Sequence, residues 1–351
     1  LISGNFIISK LIVDFPFTPF FYLIIITAFV RVFTIMQKQI IMVREQASYS
    51  AKLSIFTAAG TISLVFYFVV IMDMKALGFV LGGAIGSTLV FFQVLYYFRK
   101  EIKFKFNLSY LIPSLIWGFS MFPSHFLNVF APFISKAILV DYESMAALGH
   151  ISIATRITSP LFIFLTAFNK AYLPIYYSYR EKKKNYNELM RISQNIWLFG
   201  CFLFLSTILL APAFIKILTP ESYHPATELI WILSLGFLFN IIWVLFGREI
   251  FYKKYTYIHP LISFSAVSLN LGFVFIYIKS LGMYAVAIGM TIYWAVFAIS
   301  GIIIFKYFKV FNIDEKYYIQ TFIITCIFSS IYWLFKFYSL NHFIDLFLGS
   351  L

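Results

Sequence analysis

A 351-residue chain that is 62% hydrophobic and only 12% charged has more apolar surface than a soluble core can hide, so its solvent is expected to be lipid. The formal charge of +13 would point to nucleic acid in a soluble protein, but here the basic residues cluster between hydrophobic runs. They read as membrane topology, and no nucleic-acid partner is expected.

Hydrophobic runs of about 20 residues, the length a helix needs to cross a bilayer, fall at 16–37, 51–72, 76–98, 110–134, 147–176, 193–217, 226–247, 258–278, 281–306 and 317–338. Residues 1–13 read as the tail of an earlier span. The links alternate in charge. Arg44 and Lys52 follow the first span, Arg99, Lys100, Lys103 and Lys105 the third, and Arg180, Lys182, Lys183 and Lys184 the fifth. Arg248, Lys253 and Lys254 follow the seventh span, and Lys306, Lys309 and Lys316 the ninth. The remaining links are short or acidic, carrying Asp73, Asp141, Glu143 and Glu221. The positive-inside rule makes the basic set cytoplasmic and the other exoplasmic. Cys201 and Cys326 lie in separate spans far apart, which gives neither a disulfide framework nor a metal site.

A shift of 204 positions lays Arg44-Glu45 over Arg248-Glu249, and Lys75-x-Leu77-Gly78 over Lys279-x-Leu281-Gly282. Six spans separate the copies, and an even number preserves orientation. The expected fold is therefore an all-α polytopic membrane protein with two parallel six-helix lobes around a central cavity. Residues 1–105 would be the C-terminal half of the N-lobe, 106–310 a complete C-lobe, and 311–351 an additional C-terminal span. On this reading three spans would precede Leu1. Gly78, Gly82 and Gly86, with Ala285 and Gly289 in the second copy, read as small-residue packing stripes.

No HExxH, no paired cysteines, no Ser-His-Asp spacing and no phosphate-binding GxxxxGK[ST] loop occurs, so neither an enzyme nor a cofactor is expected. The informative residues are cations inside spans. Arg156 and Lys170 both lie in the fifth, where a central charge costs roughly 2.5–3.5 kcal/mol on insertion scales. They stand about 21 Å apart along a helix and within about 40° around it. Ser152, Thr155, Ser159 and Thr166 share that face, interrupted by Ile163 and Ala167. Such a face must look at something other than lipid, and Arg31, near the inner end of the first span, is either a further substrate-binding cavity cation or a snorkelling residue.

His125, beside Ser124, is either a cavity residue or proton carrier or a neutral packing histidine. His150, His224, His259 and His342 read as solvated span ends, Lys136 as a headgroup anchor, and Asn240 and Asn270 as hydrogen-bonding glue between helices. Pro160 and Pro174 interrupt the polar helix, as a gate or as a packing kink. Cations at depth favour a phosphate or pyrophosphate. Asp14, Asp73 and Asp141 sit at span boundaries, so a proton- or sodium-driven exporter using buried carboxylates is disfavoured.

The second half resembles the polysaccharide flippases, of O-antigen and teichoic-acid type, in the multidrug/oligosaccharidyl-lipid/polysaccharide exporter superfamily. The matching residues are Leu111-Ile112-Pro113, Ile138-Leu139, Leu148-Gly149 with Ala154, Ala167 with Pro174 before Tyr176-Tyr177, Tyr223 with Ala226, Tyr252-Lys253-Lys254, Asn270, and the Gly282, Ala285, Gly289 run. Relatives often carry Asp-Arg where this chain has Ser135-Lys136, so the acidic partner there is lost. The resemblance implies a MATE-like multi-pass protein of the bacterial cytoplasmic membrane. It would move undecaprenyl-pyrophosphate-linked oligosaccharide between leaflets by alternating access, for cell-surface polysaccharide synthesis. Arg156 and Lys170 would then attract the pyrophosphate or acidic sugars. Partners would be the lipid-linked glycan, membrane lipid, and a polysaccharide polymerase and glycosyltransferases. The alternatives are a cation-coupled small-molecule antiporter of the same superfamily and a membrane-embedded glycosyltransferase or polymerase.

Overall fold

The computed structural model describes residues 19–44, 47–101, 107–182, 186–308 and 314–348. The expected span remnant at 1–13, Asp14, Glu45, Lys103, Lys105, Lys183, Lys184 and Lys309, and the side chain of His342, lie outside them. Every regular element among the described residues is helical. Helices α1 (Phe20–Val43), α2 (Ala47–Phe66, continued by a π-helical turn Tyr67–Ile71) and α3 (Lys75–Phe98) form one compact unit within residues 1–106. The second unit, within 107–351, holds α4 (Leu108–Tyr142), α5 (Met145–Lys182), α6 (Tyr186–Leu218), α7 (Thr227–Phe246), the single turn α8 (Glu249–Tyr252), α9 (Ile258–Leu281), α10 (Met283–Tyr307) and α11 (Glu315–Leu348). Nine stretches among the described residues are long and apolar enough to cross a membrane, and they coincide with the first nine expected spans. The tenth, 317–338, lies within α11, which is not one of the nine.

In the first unit α3 packs on both α1 and α2. The glycine stripe explains how closely. A Cβ on Gly82 would come within 2.7 Å of the Val65 backbone, so the two helices touch main chain to main chain. In lipid this dispersion contact replaces the hydrophobic drive that water would supply. Beyond the helix ends, Arg44 Nη2 and Glu101 Oε2 pair at 2.5 Å. The hydrogen bond from Arg44 holds the Glu101 carboxyl below the usual carboxylate range.

The second unit is built around α7, whose apolar residues run all the way round the helix and are buried on nearly every side. It packs against α10, α6 and α5, and α9 packs in turn on α10 and α4. Asn107 caps α4, its side-chain oxygen accepting from Ser109 N at 3.0 Å. Gly282 is the whole joint between α9 and α10, at φ +51°, a conformation that favours glycine.

The repeat survives with a change of register. Arg44 and Arg248 both follow a helix end, of α1 and α7. The second match fails: Lys75 opens α3, whereas Lys279 lies in the last turn of α9. Gly289, pressed against Asn270 and Val274 of the preceding helix, is the counterpart of Gly82. The extra turn α8 after α7 moves the rest of the copy off the simple 204-residue shift.

Candidate functional site

Helix α5 carries the basic face. Arg156, Pro160, Ile163, Thr166, Ala167, Lys170 and Pro174 are all exposed on the second unit, while Ser152, Thr155 and Ser159 are half-buried at its margin. Arg156 and Lys170 form no ion pair among the described residues. Each stands four residues before a proline, and proline lacks the N–H that would bond the carbonyl at that position. At the first, Ser159 Oγ donates to the freed Arg156 carbonyl at 2.8 Å. Thr155 and Thr166 donate to Ile151 and Phe162 carbonyls of their own helix. Their oxygens still present lone pairs outward. The face therefore carries two charges without an ion pair among the described residues, with the exposed apolar side chains of Ile163 and Ala167 between them. Arg31 is exposed on α1 in the other unit.

His125 is not in the interior of the second unit. It lies on the exposed side of α4, and its neighbour Ser124 points inward instead. Ser124 Oγ lies 2.7 Å from Nδ1 of His259 and 2.5 Å from Ser263 Oγ. His259 is therefore no solvated span end. It is half-buried between the rings of Trp243, Phe251 and Phe297.

Two further features lay beyond the sequence reading. The first is a buried carboxylate. Glu249 has no exposed surface; it accepts from Tyr176 OH at 2.7 Å and from Arg180 at 2.6 and 3.2 Å. The expectation that acids stay at span boundaries is corrected by this residue, which a charged, fully hydrogen-bonded partner set keeps satisfied in the interior. The second is a cavity of about 360 Å³ inside the unit, reached by Asn128, Thr166, Asn169, Asn240, Arg248, His259 and Tyr293, with Trp243, Trp294 and Phe297 as apolar walls. Arg248 donates from Nε to Val244 O at 3.1 Å and from Nη2 to Asn169 Oδ1. Tyr293 OH donates to Asn128 Oδ1. A second cavity of about 290 Å³ shares Asn128, Phe162, Tyr293 and Trp294 with the first. Asn270 reaches it, and its Oδ1 has no hydrogen-bond partner among the described residues.

The Arg248-Glu249 dipeptide was visible in the repeat. The burial of Glu249 and half-burial of Arg248 were not, because the pair sits in a basic link that reads as a solvated loop. No group of three or more His, Cys, Asp or Glu among the described residues is placed to hold a metal ion.

No family model and no curated relative matches the chain. Solved structures do. The chain is similar to an outward-facing multidrug resistance MATE family transporter of the MOP superfamily, at 14% identity, covering 83% of this chain and 68% of that one with a TM-score of 0.69. It is similar to a MATE protein in the bent conformation at 14% identity, covering 85% and 69% with a TM-score of 0.66. A mutant of the Vibrio cholerae MATE transporter VcmN matches at 16% identity, covering 77% and 63% with a TM-score of 0.59. This multi-pass membrane chain has the fold of the MATE transporters.

Proposed function

We propose that the protein exports an undecaprenyl-pyrophosphate-linked oligosaccharide across the bacterial cytoplasmic membrane by alternating access. The observation that carries this reading is the exposed face of α5, where Arg156 and Lys170 have no acidic partner among the described residues. A cationic substrate is repelled by such a face, while a pyrophosphate gains charge-assisted hydrogen bonds from it. The two cations, about 21 Å apart along the helix, form a ladder on which an anionic head group can be passed from one level to the next. The polyprenyl tail stays in lipid throughout. Pro160 and Pro174 weaken the helix directly after each cation and give it places to bend.

The test is leaflet exchange of a fluorescent undecaprenyl-pyrophosphate oligosaccharide in liposomes, followed by quenching. Exchange should occur with the wild type and fall about 10-fold or more in Arg156→Ala or Lys170→Ala, the loss expected for one hydrogen bond to a charged group. No exchange with folded protein refutes the reading.

A cation-coupled small-molecule antiporter is the second reading, favoured by the multidrug resistance transporter among the similar folds and by the carboxylate of Glu249 inside the unit. Ethidium efflux driven by an imposed proton or sodium gradient, and lost in Glu249→Gln at a temperature where that variant is shown to be folded, would select it.

A further inference from the structure

We propose that the 360 Å³ cavity inside the second unit receives a phosphate-bearing sugar, with Arg248 as the partner of its phosphate. The inference rests on the glycan-export reading and places the substrate's head group within the lobe, behind the α5 face.

Charge is the first argument. Among the described residues the lining holds no carboxylate, and Arg248 is its charged residue. The neighbouring acid is already committed, since Glu249 is held by Arg180 and Tyr176. A guanidinium has five N–H donors, and two of those of Arg248 go to neutral oxygens, of Val244 and Asn169. The charge remains uncompensated among the described residues. The first unit shows the contrast. There Arg44, at the equivalent helix end, is neutralised by Glu101 just past α3. Past α10 the next acids are Asp314 and Glu315, and Glu315 pairs with Lys306 at 2.8 Å. The second copy has kept the arginine, and among the described residues no acid pairs with it.

Access and shape agree. Thr166 is exposed on α5 and also lines the cavity, so the cavity opens onto the basic stripe. Lys170 lies one turn further along, about 6 Å by helical rise, where it flanks the mouth. The volume falls within the range of pockets that hold small ligands, about 300–1,000 Å³. Trp243 and Trp294 line the cavity with aromatic rings. The negative face of such a ring attracts the C–H side of a sugar ring. Asn128 and Asn240 supply amides that pair with hydroxyl groups. A metal cation or a lipophilic cation finds no counter-charge here.

The test uses the full chain in detergent, titrated with glucose 1-phosphate, glycerol 3-phosphate and glucose, read by the fluorescence of the cavity tryptophans. Glucose 1-phosphate should bind about 10-fold or more tightly than either of the others. Arg248→Gln should weaken it by about 10- to 100-fold, the loss of a hydrogen bond to a charged group, and Arg248→Lys by less. A folded Arg248→Gln that binds like the wild type overturns the proposal. So does glycerol 3-phosphate binding as tightly as glucose 1-phosphate, which would mark a phospholipid head-group site. Should Arg248→Gln fail to fold, Thr166→Trp on the exposed face closes the mouth: weakened binding supports the proposal and unchanged binding overturns it. The two readings separate cleanly. Glucose 1-phosphate binding without leaflet exchange sinks the export reading alone, whereas exchange with wild-type binding in Arg248→Gln sinks the pocket alone.

Discussion

The buried pair Arg180–Glu249 ties the end of α5 to the turn after α7, and breaking it should cost the second unit much of its stability. Glu249→Gln preserves shape but removes the charge, leaving the Arg180 side chain, 13% exposed, without its counter-ion. Removing one partner of a buried pair costs about 3–5 kcal/mol. At about 2–4 °C per kcal/mol for a domain of this size, the unfolding midpoint should fall by roughly 6–20 °C. The assay is built in: Cys201 is buried, so a thiol-reactive dye reports unfolding in a Cys326→Ser background. Replacing both partners, with Arg180→Met and Glu249→Leu, should recover a good part of the loss, because no unpaired charge remains. The reasoning is refuted if Glu249→Gln shifts the midpoint by less than about 2 °C, or if the double variant is no more stable than the worse single one.

In α3, Gly82→Leu should destabilise the first unit by about 1–3 kcal/mol through overlap with the Val65 backbone. Gly83→Leu, which meets nothing within 4 Å, should be nearly neutral when both variants are compared by amide exchange along α2 and α3. The Arg44–Glu101 pair should respond to acid and salt. Because the folded carboxyl titrates below its unfolded value, its contribution is complete above the ordinary glutamate range and is lost as pH falls through the lowered folded value. Amide exchange around Arg99 and Lys100 should therefore rise in strong acid, and Glu101→Gln should show that faster exchange already at neutral pH.

The membrane architecture was legible because lipid imposes a coarse rule: length and polarity alone locate a span, and nine stretches answered to it. The α5 face was legible for a related reason. Arg156 and Lys170 have no cheap place in hydrocarbon, so their helical phase pointed to one surface. The interior polar groups obey no such rule. Ser124 and His125 differ by one residue and about 100° of helix, and the sequence does not say which faces inward. Arg248, Glu249 and His259 stand beside helix ends, where exposure is the natural assumption. Glu249 is covered by Tyr176 and Arg180 of α5, and the half-buried His259 by Trp243 of α7 and Phe297 of α10, contacts far apart along the chain, and by Phe251 of the extra turn α8. The repeat misled in the same way, since Lys279-x-Leu281-Gly282 matches Lys75-x-Leu77-Gly78 in letters but not in helical position.

The single-residue joint at Gly282 carries a consequence for biogenesis. A trans peptide unit spans only about 3.8 Å between Cα atoms, so α9 and α10 have no slack in which to part. This geometry predicts that they enter the bilayer as one hairpin, with Gly289 seated against Asn270 and Val274. Its α10 arm is the wall against which α7, with its buried Asn240, packs.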